Sequence, residues 1–424
     1  MYKYVKPSSI SQLIEQIVRI LVILLGSYLF YPEPIVMSTI VEDLACYLSE
    51  KHSVTVLTSP PCRPYGFKLP QQTEKTDWPF KRIILDSKIN PKSEFIGRLR
   101  ENFSFGAAAS SYIKGHHSEI DVIYMDVFPL FSMKKIIATA NQYNIATVNH
   151  IEDIYPEPFK HKVPIFGRLV FKMLLPIDKW IIKNATTSIV IGKKIKEFFI
   201  STRNATPKDV EVVYNWQDEN RYRIVDEQSV VTGPFTFMYV GSISDAANLH
   251  HILDCFVKAE LSNCQLVFAG SGSEKRSLMN EAQMKRASNV KFIDVNPANI
   301  GSVQGSADVL ILPLRPTIAL RAVPSKSAAY LFSKKPVLAS VDVDSDAADI
   351  VNEAKCGWVV APDDSVSLIE RMREIANINK DVLNEMGRRG YDYSQMYLTK
   401  EVNLKKLADT VIISYYKKNE HTYV

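Results

Sequence analysis

Residues 235–273 read FTFMYVGSISDAANLHHILDCFVKAELSNCQLVFAGSGS. The apolar run Phe235–Val240 ends in Gly241-Ser242-Ile243-Ser244-Asp245, and after a helix-length stretch a second run, Cys264–Ala269, ends in Gly270-Ser271-Gly272-Ser273. Short apolar runs closed by glycine and serine, with amphipathic stretches between them, mark parallel strands joined by crossover helices. The beat continues through Val290–Ile293, Asp308–Leu312, Lys335–Leu338 and Gly357–Val360. Helical sequence from about 381 to 418 closes the chain.

Upstream, the same alternation occurs once more. Strands are predicted over residues 18–25, Ser53–Ser59, Lys81–Leu85, Asp121–Tyr124, Ile145–Asn149, Thr187–Ile191 and Val210–Tyr214. Ile40, Val41, Leu44, Ala45 and Leu48 fall at helical spacing after the first of them. Asn215–Pro234 is polar, lacks periodicity and ends in Thr-Gly-Pro, so it reads as the linker. The expectation is an α/β chain of two Rossmann-like, doubly wound domains, 1–215 and 216–424, facing a cleft, with the closing helices in the second. Ligands of open α/β sheets bind at the carboxyl ends of the strands, so two such edges suit two substrates.

Length and composition agree with this. The 424 residues, 46% hydrophobic and 23% charged, exceed one ordinary core and exclude disorder and collagen-like sequence. Five scattered cysteines without a C-x-x-C pair point to a reducing compartment and away from structural zinc. The apolar run from Ile20 to about Phe30 is short for a membrane span and lacks the flanks of a secretory signal, so it reads as a buried strand. Residues 1–16 read as an appended helix. Charge is uneven: residues 1–215 hold 27 Lys and Arg against 20 Asp and Glu, and the rest 24 against 26. The local source is residues 160–196, with nine Lys or Arg against the single acid Asp178, interleaved with Ile165, Phe166, Leu169, Val170, Phe171, Leu174 and Leu175. A basic amphipathic stretch of this kind suits an anionic membrane face. No nucleic-acid module accompanies it.

Three segments of the second half suit an anion. They are Gly241-Ser242, Gly270-Ser271-Gly272, and Val323-Pro324-Ser325-Lys326-Ser327 ahead of a helical run. Small residues let backbone amides approach a phosphate, and Lys326 adds a cation at a helix start. Each loop alone is also an ordinary turn. Together with VEVVYNWQDE, ADVLILPL, VPSKSAAYLFSKKPVLAS and DAADIVNEAKCGWVVAPDD, these segments resemble the family 4 glycosyltransferases of the GT-B fold. The likeness is to the bacterial branch that builds colanic acid, capsule and O-antigen. YPEP (31–34), YLSEKHSVTVLTS and HIEDIYPE (150–157) also fit it.

The resemblance implies a nucleotide-diphosphate-sugar donor held by the second domain, a glycan or lipid-linked acceptor held by the first, and retention of anomeric configuration. It implies no cofactor and no bound metal; with the scattered cysteines and the basic stretch 160–196, the expectation is a cytoplasmic enzyme peripheral to the inner membrane face. Donor-binding candidates are Gly241, Ser242, Gly270, Ser271, Gly272, Arg321, Ser325 and Lys326, with Lys326 also catalytic through the leaving diphosphate. The family's glutamate pair, placed by counting back from Pro336, falls on Arg321 and Ala329, and its usual arginine on Ser242. Neither member of the pair is acidic here, so recognition of the sugar hydroxyls departs from the family pattern. In the first domain His150, Glu152 and Asp153 close a strand where acceptor chemistry belongs, and D-x-x-P favours Asp153. Asn215 is a further polar candidate. Two other readings stay open: a nucleotide-sugar 2-epimerase of the same fold, and a catalytically silent scaffold subunit.

Overall fold

The computed structural model describes residues 21–27, 29–33, 36–61, 77–90, 94–126, 130–157, 159, 166–222 and 233–420. The appended helix expected over 1–16, and Pro34, Cys62, Lys160, Lys162, Ile165 and residues 223–232 of the linker, lie outside them.

The first sheet holds β1 (Val22–Ser27), β2 (Ser53–Thr58), β3 (Lys81–Ile84), β4 (Val122–Asp126), β5 (Ala146–Ile151), β6 (Thr187–Val190) and β7 (Val210–Val212), in the order β3-β2-β1-β4-β5-β6-β7. Its helices are α1 (Val36–Ser49), α2 (Phe95–His116), α3 (Leu130–Gln142), α4 (Gly167–Asn184) and α5 (Lys193–Arg203). The second sheet holds β8 (Phe235–Val240), β9 (Cys264–Ala269), β10 (Val290–Ile293), β11 (Val309–Pro313), β12 (Val337–Ser340) and β13 (Gly357–Val360), ordered β10-β9-β8-β11-β12-β13. With it go α6 (Leu249–Ala259), α7 (Lys275–Met284), α8 (Ile300–Gly305), α9 (Lys326–Phe332), α10 (Asp346–Ala354), α11 (Ser365–Ala376), α12 (Lys380–Tyr397) and α13 (Lys400–Asn419). Every predicted strand is present, and the closing helical sequence divides into α12 and α13.

By contacts the chain forms two compact units. One comprises Met1–His150, Leu169–Ser188 and Leu407–Val424, the other Ile151–Arg168 and Ile189–Lys406. The division interleaves along the chain over residues 151–188 and again where the last helix ends on the first unit. There Ser414 Oγ donates to Thr187 Oγ1 at 2.7 Å and Lys418 Nζ to Asn141 Oδ1 at 3.1 Å.

The second sheet explains the near-continuous apolar runs. Side chains alternate across a strand, so a sheet covered on both faces needs apolar residues at both parities. Phe237 and Tyr239 of β8 pack with Leu266, Phe268, Val309, Ile311 and the apolar face of α6. Met238 and Val240 pack on the other side with Val267, Leu310, Leu312 and α9. In the first unit Leu24, Ile123 and Met125 meet Phe105 and Ile113 of α2 and Ile136 and Ile137 of α3. Among the described residues no helix is long and apolar enough to cross a membrane, and the stretch read as a buried strand is β1, whose Ile23, Leu24 and Leu25 are buried.

Candidate active site

In both sheets the strand order reverses beside the first strand of the series, between β1 and β4 and between β8 and β11. Crevices of doubly wound sheets open at such points, beyond the strands' carboxyl ends.

At the second sheet, the loops after β8 and β9 are bound to one another through their backbones. Gly241 N donates to Ala269 O at 2.9 Å, Ile243 N to Ser271 O at 2.8 Å, and Glu274 N to Ile243 O at 3.1 Å. Gly270 has φ +142°, and a Cβ on it would stand 2.1 Å from the carbonyl oxygen of Gly241. Only glycine allows that approach. Gly272 carries on the loop into α7, its carbonyl accepting from Lys275 N at 3.3 Å. The side chains of Ser242 and Ser271 are exposed, so these two residues face solvent from the loop tips.

Lys326 begins α9, and its half-buried side chain runs back to the same loops. Gly241, at φ +144°, makes room for it: a Cβ there would lie 2.3 Å from Lys326 Cε. The ammonium stands 5.6 Å from the centre of the Tyr239 ring, and the Tyr239 hydroxyl donates to Ser242 O at 2.5 Å. Tyr330, one turn along α9, fixes the helix to β8: its hydroxyl donates to Val240 O and accepts from Val240 N, both at 3.0 Å. Burial pushes the Lys326 ammonium below the usual lysine range, and no carboxylate among the described residues acts in the other direction. A partly desolvated cation with no anionic partner among the described residues is arranged to receive one.

Ser325 is exposed and its side chain makes no capping bond, so the helix start rests on Pro324, whose carbonyl accepts from Ser327 N at 2.9 Å. Arg321 lies in the turn before α9, half-exposed, with no side-chain hydrogen bond or ion pair among the described residues. The structure therefore brings Lys326 together with Gly241, and the loop of Gly241 and Ser242 together with that of Gly270, Ser271 and Gly272. It shows no contact of Arg321 with them. Tyr239 and Tyr330 were missed from the sequence, because an aromatic inside an apolar strand or helix reads as core.

At the first sheet, Ser27, Asp126 and His150 occupy one rung across β1, β4 and β5, at their carboxyl ends. All three are buried. His150 Nδ1 is 2.7 Å from the Tyr124 hydroxyl, and burial lowers its pKa to about 3, so the ring is neutral at physiological pH. Two residues on, Glu152 has its pKa raised to about 7, first by burial and then by the nearby charge of Asp153, against a hydrogen bond donated by Asn215 Nδ2. Asp153 itself is exposed. Asp126, His150 and Glu152 each offer one ligand-type atom, all within 4.8 Å of one another, and are the one such group among the described residues. Sequence spacing did not reveal it, since Asp126 comes from the neighbouring strand. A neutral imidazole beside a carboxyl that titrates near neutrality suits proton transfer.

Residues 234–377, which span the second sheet, match the family described as glycosyl transferases group 1. No curated protein matches the chain. Solved structures do. Anabaena HepE, determined with UDP, is 14% identical over 92% of this chain and 98% of its own, with a TM-score of 0.65. The sucrose-phosphate synthase of Thermosynechococcus elongatus gives 16% identity over 92% and 98%, TM-score 0.69. WaaG, a glycosyltransferase involved in lipopolysaccharide biosynthesis, gives 16% over 92% and 99%, TM-score 0.62. At these identities the likeness is one of fold: two Rossmann-like parallel sheets with closing helices, the GT-B architecture.

Proposed function

We propose that this chain is a retaining glycosyltransferase that moves a sugar from a nucleotide-diphosphate-sugar to a glycan acceptor, lipid-linked, in bacterial surface polysaccharide assembly. The observation that carries the reading is Lys326: a half-buried cation laid across Gly241, with no carboxylate partner among the described residues, inside the stretch that matches the glycosyl transferases group 1 family. Breaking the bond between the sugar's anomeric carbon and the diphosphate leaves about two negative charges on the leaving group. Lys326 meets that charge, helped by the amides of the glycine loops, and no metal is needed. Glu152 takes the acceptor hydroxyl's proton, Asn215 holds its carboxylate, and the neutral His150 supplies a hydrogen bond rather than a charge. The exposed carboxylate of Asp153 and the half-exposed guanidinium of Arg321 contact sugar and phosphate from the solvent side. The solved neighbours support the donor class, since HepE was determined with UDP. The enzyme works in the cytoplasm, peripherally at the inner membrane face, a placement supported by the basic stretch 160–196.

The test is a panel of radiolabelled nucleotide-diphosphate-sugars offered with a lipid-linked acceptor pool, with and without EDTA. Label in the lipid fraction, unchanged by EDTA, is the expected result. A free epimer made without acceptor would instead indicate the 2-epimerase, and binding without turnover the silent subunit. Activity that EDTA abolishes and magnesium or manganese restores would show that Lys326 alone does not neutralise the diphosphate.

A further inference from the structure

We propose that the exposed side of α4 is the surface by which this chain docks on an anionic lipid bilayer. The inference rests on the membrane placement proposed above, and it assigns that placement to particular side chains.

The inner side of α4 is fully committed. Ile181 and Ile182 are buried, and Leu174, Ile177 and Trp180 pack against the core of the first unit. Asp178, the helix's single acid, is buried on this side as well. A helix turns about 100° per residue, which sets Arg168, Lys172, Lys179 and Lys183 within an arc of about 60° on the opposite side. All four are exposed. The strip directly beside them holds Leu169 and Met173, exposed at 56% and 66%, and Phe166 just before the helix is 65% exposed. Pro176, inside the helix, is exposed on the same side. Lys134 of α3 stands 5.7 Å over the Trp180 ring and adds a further cation at the apolar edge.

Two adjoining strips, one cationic and one apolar, both in water, match the layers of a membrane surface. Lipid phosphates lie at the level of the lysines, and the acyl boundary a few ångströms deeper takes leucine, methionine and phenylalanine. A nucleic acid would use the cations but leave Leu169 and Met173 in solvent, so the pairing of the two strips favours lipid. The apolar residues alone would make only a small patch. Beside four cations, on a helix whose one acid is buried, they give a surface that discriminates by lipid charge.

The experiment is flotation of the full chain, without nucleotide sugar, on vesicles of phosphatidylcholine and on vesicles of phosphatidylcholine and phosphatidylglycerol in equal parts. Three proteins are compared: wild type, Lys172→Gln/Lys179→Gln/Lys183→Gln, and Leu169→Ser/Met173→Ser. All substituted side chains are exposed, so folding is not at stake, and nucleotide binding serves as the control. Wild type floats with the anionic vesicles and is released by salt. The triple variant loses about 10²-fold in partitioning, at about a factor of five for each lysine, and the double variant about tenfold. Anionic binding that neither variant weakens would overturn the assignment to α4 while leaving the membrane placement standing. No vesicle binding, with a duplex RNA retarded by wild type but not by the triple variant, would overturn both and leave the transfer reading untouched.

Discussion

The two sheet edges solve opposite electrostatic problems. Beyond β8 and β9, buried surroundings hold a charge: Lys326 stays between the Tyr239 ring and Gly241, with glycine backbone around it. Beyond β4 and β5, buried surroundings remove charge, lowering His150 to about 3 and raising Glu152 to about 7. The first arrangement suits binding a group that is already an anion. The second suits moving a proton near neutral pH. Similar doubly wound scaffolds thus present different chemistry, through the residues that end their strands.

The largest expected separation between the two edges is kinetic. Glu152→Gln keeps the shape and the bond from Asn215 but removes the titrating proton, and transfer should fall about 10²–10³-fold with donor affinity unchanged. Steady-state kinetics with donor titration reads both numbers. A loss confined to KM for donor would assign Glu152 to the other edge.

Stability should separate them next. The folded pKa of Glu152 lies above its ordinary 4.5, so the folded state binds the extra proton, and stability is lost as pH rises from about 5 to about 7. The amount is on the order of 3 kcal/mol. His150 runs the other way: its folded pKa is below 6.5, and stability is lost as pH falls from about 6.5 toward 3. Urea unfolding from pH 5 to 8 should therefore show Glu152→Gln gaining on wild type as pH rises. Parallel curves would mean that Glu152 is not buried as described.

A backbone test touches only the second edge. Gly270→Ala places a methyl against the carbonyl of Gly241 at a φ that other residues avoid, and should cost about 1–3 kcal/mol. Donor affinity falls with it, while the pH response attributed to Glu152 stays. The smallest effect on stability comes from removing the desolvated cation. Lys326→Met should raise Tm by about 1–3 °C while turnover collapses, since a group held for function at a cost in stability is released. A lower Tm would make the lysine structural.

These edges were also where the sequence was hardest to read. Six-residue runs such as Phe235–Val240 and Cys264–Ala269 were legible to the residue, because both faces of the sheet are covered and every position but Thr236 and Gln265 is apolar. Five strands instead run past their predicted ends: β1 to Gly26-Ser27, β4 to Asp126, β5 to His150-Ile151, β11 to Pro313, and β12 to Ala339-Ser340. Small and polar residues have weak strand propensity, and pairing to neighbours overrides it here. Ser27 pairs with both Thr58 and Asp126, and Ser340 with both Pro313 and Val360. Polar residues gather at the carboxyl ends for the chemistry, so the reading failed at the candidate sites. Lys326 was legible because it follows Val-Pro-Ser at a helix start. Asp126, Tyr124, Tyr239 and Tyr330 were not, since their partners come from other strands and helices.

The claim that Lys326 receives the donor's diphosphate is tested most directly by calorimetric titration of UDP into three proteins: wild type, Lys326→Ala and Glu152→Gln. Losing a charge-assisted contact to phosphate should weaken UDP about tenfold or more in Lys326→Ala, a change of about 1.4 kcal/mol or more. Glu152→Gln should bind as wild type does, and the wild-type affinity should fall with rising pH as the ammonium, already lowered by burial, gives up its proton. UDP binding to Lys326→Ala within about a factor of two of wild type, with no loss at high pH, would contradict the account and move the diphosphate away from Gly241.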